Sequence, residues 1–294
     1  MSSPTIVGFI GLGAMGEPMA HALLRAGFPV VAAAHRNRAP LERLAALGAR
    51  AVVHPSEVAA ESEIVVLCVP DAPQVEEALF AEHGVADGLR EGSIVVDMST
   101  ISPVASRRFA ERLAQRGVGF VDAPVSGGPM RAQSGTLTIM VGGSDEAFAR
   151  VRAVLEAMGT PHHLGPVGMG ETVKLVNQIA IGSIMIANAE ALMFAQKAGA
   201  DIDAVREVLK SATASNYVLE QWIPKTWLGA GFDGGFAMDL LRKDLAAALD
   251  AARVMGHPMP QAALAHQLYT LQSKTDGRRD YTAIAKLYGA QEPR

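Results

Sequence analysis

Cysteine is almost absent from this chain of 294 residues. The single Cys68 lies inside the apolar run 64–69 and cannot close an intrachain disulfide, so it reads as a buried thiol suited to a reducing cytoplasm. A basic excess is absent as well. With 26 Lys and Arg against 30 Asp and Glu, the net charge is −4, which recommends neither nucleic acid nor a membrane surface as partner. A small anionic ligand needs only local positive groups. Long apolar runs are also missing. The longest charge-free stretch near the middle, 175–189, contains Asn177, Gln178 and Asn188, falls short of the roughly 20 residues of a membrane span and reads as a core helix. Polar Ser2-Ser3-Pro4 leads straight into a strand without the pattern of a signal peptide. Of the eight histidines, His162 and His163 adjoin no carboxylate or thiol at ligand spacing and the rest are scattered, so no metal site is expected. Internal repeats and low-complexity tracts are absent too.

What is present begins with size and apolar content. The length suits two domains, and 49% apolar residues can fill a sizeable core. The stretch that organises the rest is an apolar strand, 6–10, running into Gly11-Leu12-Gly13-Ala14-Met15-Gly16 and then an amphipathic helix to about Gly27. In a G-x-G-x-x-G turn the first glycine allows the tight bend, the second clears the way to a pyrophosphate, and the third lets helix and strand pack closely. The helix N-terminus adds unpaired N–H groups and a positive dipole end. These features predict a dinucleotide-binding unit, completed by a second strand at 30–34.

Further strand-like stretches follow at 51–53, 64–69, 94–98, 119–122 and 137–141, with helical patterns at 40–47, 74–80 and 104–116. Such alternation predicts an α/β fold with a mostly parallel, doubly wound sheet covered on both faces. Ligands of such sheets sit beyond the carboxyl ends of the strands, so the loops after residues 10, 34, 69, 98 and 122 are the places to seek chemistry. After the second strand stands His35-Arg36-Asn37-Arg38, where an NAD-specific unit usually carries an acid for the ribose hydroxyls. Arg36 would instead hold a 2′-phosphate, which makes NADP the preferred cofactor with NAD possible; a solvated basic turn is the other reading. Val69-Pro70 opens a proline-fixed loop. Ser102 before Pro103 reads as a helix N-cap, while the role of Thr100 stays open on chemistry alone. Ser126-Gly127-Gly128 can present a hydroxyl and unobstructed N–H groups, a nest suited to a carboxylate, or can be a plain turn.

A helix at 146–158 precedes Gly168-Met169-Gly170, and one long helix runs from Glu171 to about Lys197. Helical patterns alone follow, at 203–211, 218–226, 236–255 and 261–272. The domains are therefore expected at 1–165 and 166–294, the second all-α. Lys174, Asn177 and Gln178 share one face of the long helix by their spacing. Its apolar surroundings would strip solvation from the amine, draw its pKa toward neutrality and make it a proton donor or acceptor. Asp239 and Lys243, four residues apart, either pair on a solvated face or leave the lysine to reach the cofactor.

Four motifs now stand in order: Gly11 to Ala20; Asp122-Ala123-Pro124-Val125-Ser126-Gly127-Gly128 with Gly135-Thr136-Leu137; Gly168-Met169-Gly170 with Lys174 and Asn177; and Lys243-Asp244-Leu245. Nearly the whole chain resembles the β-hydroxyacid dehydrogenases, a family that includes 3-hydroxyisobutyrate dehydrogenase, 2-hydroxy-3-oxopropionate reductase and semialdehyde or glyoxylate reductases. The resemblance implies a Rossmann domain and an all-α domain joined by a long helix. It implies Lys174 as the catalytic lysine, a substrate carboxylate on Ser126, Gly127 and Gly128, and Asn177 and Gln178 lining the substrate between the domains. Thr100, Lys243 and the Val69-Pro70 loop would touch the cofactor. The partners implied are a small carboxylate substrate and further copies of the chain, as a homodimer or homotetramer. The sequence departs from the family at His21, where Asn is common, and at His35, where a relative often carries Asp; the second agrees with the Arg36 argument. Alternatives are a non-catalytic dinucleotide-binding module, a decarboxylating sugar-acid dehydrogenase such as 6-phosphogluconate dehydrogenase, and an imine reductase, which would normally lack Lys174.

Overall fold

The computed structural model describes residues 4–292; Ser2 and Ser3 of the polar lead-in lie outside the described residues. The chain divides into two compact units, Met1–Lys174 and Leu175–Arg294, with the division inside one long helix. The first unit opens with β1 (Val7–Ile10), α1 (Gly16–Arg25), β2 (Val30–Ala33), α2 (Ala39–Ala46), β3 (Arg50–Val52) and α3 (Pro55–Glu61). It continues with β4 (Ile64–Leu67), α4 (Ala72–Phe80), the short α5 (Val85–Gly88), β5 (Ile94–Asp97), α6 (Pro103–Ala114) and β6 (Gly119–Asp122).

These six strands form one parallel sheet in the order β3-β2-β1-β4-β5-β6. Alternate residues of each strand point to opposite faces, and both faces are filled. Val7, Phe9, Ile64, Val66, Ile94 and Val96 pack with Met19 and Leu23 of α1. Ile10, Val31, Val65, Leu67 and Val95 pack on the other side with Val58, Phe109 and Leu113. This two-sided burial is why β1, β2, β4 and β5 carry short apolar runs rather than an apolar/polar alternation. Strand order reverses beside β1, whose neighbours are β2 and β4. The crevice at the carboxyl ends of β1 and β4 is therefore the switch point at which such sheets take ligands.

The strands differ from the sequence reading in several places. The fourth strand ends at Leu67 rather than at 69, because the Val69 N–H donates to Ser99 Oγ at 3.0 Å and Pro70 has no N–H to offer. The stretch Leu137–Val141, here β8, does not join the parallel sheet. It forms the middle of a separate three-stranded sheet, antiparallel to β7 (Val125–Ser126) and parallel to β9 (Gly159–His163), with α7 (Gly128–Ser134) and α8 (Asp145–Glu156) between the strands. Gly-Thr-Pro-His-His carries no apolar alternation, and its residues are only half-buried or exposed, so β9 is an edge strand with no sequence signature.

The second unit is built on α9 (Met169–Lys197), which begins in the first. At 29 residues the helix is long enough to cross a membrane, longer than its charge-free segment suggested. Then follow α10 (Ile202–Lys210), a π-helical turn (Val218–Trp222), α11 (Trp227–Ala230), α12 (Met238–Met255), α13 (Pro260–Asp276) and a 3₁₀ segment (Tyr281–Tyr288). The expected helix at 218–226 is thus broken: Thr226 caps a new turn, and Gly231 and Phe232 at φ 58° and 70° reverse the chain. Met185, Leu192, Leu219, Trp227, Leu245 and Tyr269 belong to its core, and the buried Asp280 carboxylate holds the Phe236 N–H (2.7 Å) and the Thr282 hydroxyl (2.7 Å).

Candidate active site

The glycine turn after β1 shows three separate reasons for its glycines. Gly11 has φ +95°, and a β-carbon there would lie 2.2 Å from the Cys68 carbonyl oxygen. One at Gly16 would lie 1.8 Å from the Gly11 carbonyl oxygen, so α1 starts in direct contact with the turn. A β-carbon at Gly13 would meet nothing within 4 Å. No protein atom demands a glycine at position 13, whereas a ligand backbone passing close to it would. The first turn of α1 has no side-chain cap, which leaves donor groups for an anion. Leu12, Ala14 and Met15 complete the loop. These residues fit a dinucleotide pyrophosphate.

The other candidates of the first unit lie at the same strand ends. Arg36 and Asn37 are exposed in the loop after β2, and the Asn37 side chain accepts the Ala39 N–H at 3.2 Å, helping to start α2. Val69 and Pro70 follow β4. Thr100 is half-buried after β5, just beyond Ser99, whose N–H donates to Asp97 Oδ1 at 3.0 Å. Ser102 accepts the Val104 N–H and caps α6, as expected. Cys68 stands beside this cluster. Burial, and secondarily the charge of Asp97, pushes its thiol up to about 12, which leaves it protonated and unreactive at neutral pH.

Lys174 is placed by a device that sequence reasoning missed. No residue from 165 to 168 offers a side-chain acceptor for the start of α9; Asp122, fully buried at the end of β6, supplies one from afar. Its Oδ1 accepts the Gly168 N–H at 2.7 Å and its Oδ2 the Glu171 N–H at 2.8 Å. Burial pushes the Asp122 carboxyl above the ordinary Asp range, opposed by these N–H groups. Glu171, also fully buried, accepts the Ile101 N–H at 3.1 Å and ties the same turn to the end of β5. Glycine makes the approach possible: a β-carbon at Gly142 would lie 2.5 Å from Asp122 Oδ1, and one at Gly170 2.3 Å from the Met140 carbonyl oxygen. Lys174 stands three residues beyond Glu171 and is only 6% exposed. The readable signal was a long apolar helix preceded by glycines and no local N-cap, which demands a cap from elsewhere.

Ser126 ends β7, and Gly127 and Gly128 begin α7 with φ +136° and +69°, values that exclude most side chains. All three are half-buried. In the second unit, Asn177 Nδ2 donates to Gln178 Oε1 (2.9 Å), and Gln178 Nε2 donates to Asp244 Oδ2 (2.6 Å). Lys243 Nζ stands 2.8 Å from Asp244 Oδ1. Asp239, four residues before Lys243, pairs with Arg242 at 3.4 Å, and the carboxylate beside Lys243 is the buried Asp244. Among the described residues no cluster of His, Cys, Asp or Glu could hold a metal ion.

Residues 6–182 match the family model described as the NAD binding domain of 6-phosphogluconate dehydrogenase. Residues 168–288 match the one described as NAD-binding of NADP-dependent 3-hydroxyisobutyrate dehydrogenase. The chain is 40% identical over 286 residues to 2-hydroxy-3-oxopropionate reductase of Escherichia coli (strain K12), covering 95% of this chain and 96% of that protein. It is 38% identical over 284 residues to 2-(hydroxymethyl)glutarate dehydrogenase of Eubacterium barkeri, covering 96% and 94%. The chain belongs to the β-hydroxyacid dehydrogenase family.

Like other β-hydroxyacid dehydrogenases it is an NAD(P)-dependent oxidoreductase acting on CH–OH groups, with a nicotinamide dinucleotide as cofactor. Its fold is similar to that of Mycobacterium tuberculosis 3-hydroxyisobutyrate dehydrogenase with L-serine, at a TM-score of 0.91 and 29% identity over 98% of this chain and 100% of that one. In this β-hydroxyacid dehydrogenase the first and third glycines of the turn serve packing, and the second faces open space. Gly16→Ala is therefore expected to destabilise the fold by about 1–3 kcal/mol, visible as a lower Tm. Gly13→Ala is expected to leave the melt unchanged and to weaken coenzyme binding about tenfold or more. Normal coenzyme affinity in Gly13→Ala would leave that glycine without a ligand-facing role.

Proposed function

We propose that the chain interconverts a short 3-hydroxy acid and the corresponding 3-oxo acid or semialdehyde, with NADP preferred to NAD. The observation that carries this reading is Lys174: an amine 6% exposed on a helix whose first turn is tied to the ends of β5 and β6 through Glu171 and Asp122. An amine held on such a fixed support can meet one carbonyl oxygen repeatedly in one orientation, which is the positional gain catalysis requires. The relatives' names, one a reductase of an oxo acid and one a dehydrogenase of a hydroxy acid, support the same reaction class.

When bound, the nicotinamide supplies hydride to the carbonyl carbon or accepts it from the carbinol. The Lys174 ammonium donates a proton to the carbonyl oxygen in reduction, and the free amine recovers it from the hydroxyl in oxidation. Ser126 and the N–H groups of Gly127 and Gly128 hold the substrate carboxylate. The residues from Gly11 to Gly16 hold the pyrophosphate. Asn177 and Gln178 are assigned to the substrate and Lys243 to the cofactor by family likeness, and Asp244 fixes the hydrogen-bonded chain that joins them.

NADP preference rests on the loop after β2, which presents exposed Arg36 and Arg38 and no acid. Arg36→Ala is expected to weaken NADP by about 1.5–3 kcal/mol, the range of a hydrogen bond to a charged group, and to leave NAD almost untouched. Equal losses for the two coenzymes in a titration would remove Arg36 from recognition of the phosphate. The function itself is tested by following NADPH consumption with tartronate, methylmalonate and succinic semialdehydes and glyoxylate. No turnover with any of them, by a protein that binds NADPH, would favour the non-catalytic dinucleotide-binding module.

A further inference from the structure

The Ser126–Gly128 loop carries a charged neighbour that the reaction as written does not use. Gly127 has φ +136°, and a β-carbon built there would lie 2.8 Å from both Cβ and Cδ of Arg131 and 3.2 Å from its Nε. The space that a side chain at 127 would fill is thus taken by the Arg131 stem, which lies along the loop backbone and carries its guanidinium beside it. Gly127 is the N-cap of α7, and Arg131 sits one turn into the same helix, where its carbonyl oxygen accepts the Thr136 N–H (2.9 Å) and the Ser134 hydroxyl (3.2 Å). Arg131 is exposed, and among the described residues no carboxylate pairs with its guanidinium.

We propose that Arg131 forms a second anion subsite beside the Ser126–Gly128 loop and makes the preferred substrate a short dicarboxylic 3-hydroxy acid rather than a monocarboxylic one. The inference rests on the reading of that loop as the holder of the first carboxylate. A planar guanidinium is a two-pronged donor for a carboxylate. Laying its stem on a glycine backbone restricts its motion before any ligand arrives, so less freedom is lost on binding. The first carboxylate is served by one hydroxyl and backbone N–H groups, which leaves the guanidinium for a second.

The test uses two substrates with the same reacting core. 3-Hydroxyisobutyrate and 2-(hydroxymethyl)glutarate are both 3-hydroxypropanoates and differ only at C2, which bears a methyl in the first and a carboxyethyl group in the second. The full-length protein is expected to show the higher kcat/KM on the dicarboxylate. Arg131→Met, which keeps most of the stem and removes the charge, is expected to lower kcat/KM on the dicarboxylate roughly 10–100-fold, mainly through KM, and to change the monocarboxylate little. Arg131→Lys should recover part of the loss, because it restores charge without the fork. Equal losses on both substrates, a rise confined to the coenzyme KM, or a wild-type preference for the monocarboxylate would each overturn the second subsite. Absence of turnover of both substrates and of the oxo acids named above, with either coenzyme, would overturn the functional reading itself, whereas turnover of those oxo acids without the dicarboxylate would overturn the second subsite alone. A thermal melt of Arg131→Met matching wild type is expected, since the side chain is exposed.

Discussion

Lys174→Ala is expected to lower kcat by roughly 10²–10⁴-fold, the usual contribution of a positioned general acid or base, while coenzyme affinity stays near that of the wild type. The split follows from position. The groups that fit the dinucleotide lie in the turn after β1 and the loops after β2 and β4, whereas Lys174 stands in the second turn of α9. Truncation removes the proton donor and leaves the glycine turn intact. Steady-state rates with NADPH and a semialdehyde, set beside a coenzyme titration monitored by fluorescence, check both halves. Normal turnover would take Lys174 out of the chemistry. A joint loss of turnover and coenzyme binding would mean that the lysine supports the fold. Arginine is a poor replacement: it keeps the charge, yet its pKa above about 12 prevents it from releasing a proton near neutrality.

The second large effect is expected at a fully buried carboxylate. Asp122→Ala removes both acceptors from the Gly168 and Glu171 N–H groups in a fully buried place. Each orphaned donor costs about 1–3 kcal/mol, so a loss of about 2–5 kcal/mol in stability is expected, or roughly 5–15 °C in Tm for a unit of this size. Turnover should fall with it, because Lys174 is carried by the turn that Asp122 holds. Asp122→Asn keeps one acceptor oxygen and should fall between. An unchanged melt and unchanged rate in Asp122→Ala would show that α9 starts correctly without the carboxylate. Gly170→Ala offers an independent check, since its β-carbon would press on the Met140 carbonyl oxygen and displace the same turn.

The strands of the parallel sheet were legible because two-sided burial writes itself as short apolar runs such as 64–67 and 94–96. The glycine turn was legible because its spacing answers local demands of bend, approach and packing. β9 was not, since an edge strand of Gly-Thr-Pro-His-His gains its place from pairing with β8 and from no pattern of its own. The carboxylate beside the lysine of α12 was not legible. Helical spacing puts Asp239 within reach of Lys243, but spacing cannot say which carboxylate is buried, and Asp244 is 2% exposed. Asp122 appeared in the sequence only as a member of a motif. Its partners Gly168 and Glu171 are 46 and 49 residues away, beyond the reach of any local rule.

The sequence alone therefore determined what depends on neighbours along the chain: an alternating α/β half, a phosphate-binding turn, a helical remainder, and the residue types from which a hydride-transfer site could be made. Only the tertiary structure decided which carboxylate caps α9, which sheet receives β8, where Lys243 finds its counter-charge, and that Arg131 lies along Gly127. These outcomes turn on the desolvation of polar groups and on backbone approaches of a few ångströms between distant segments, and neither quantity exists until the chain has folded.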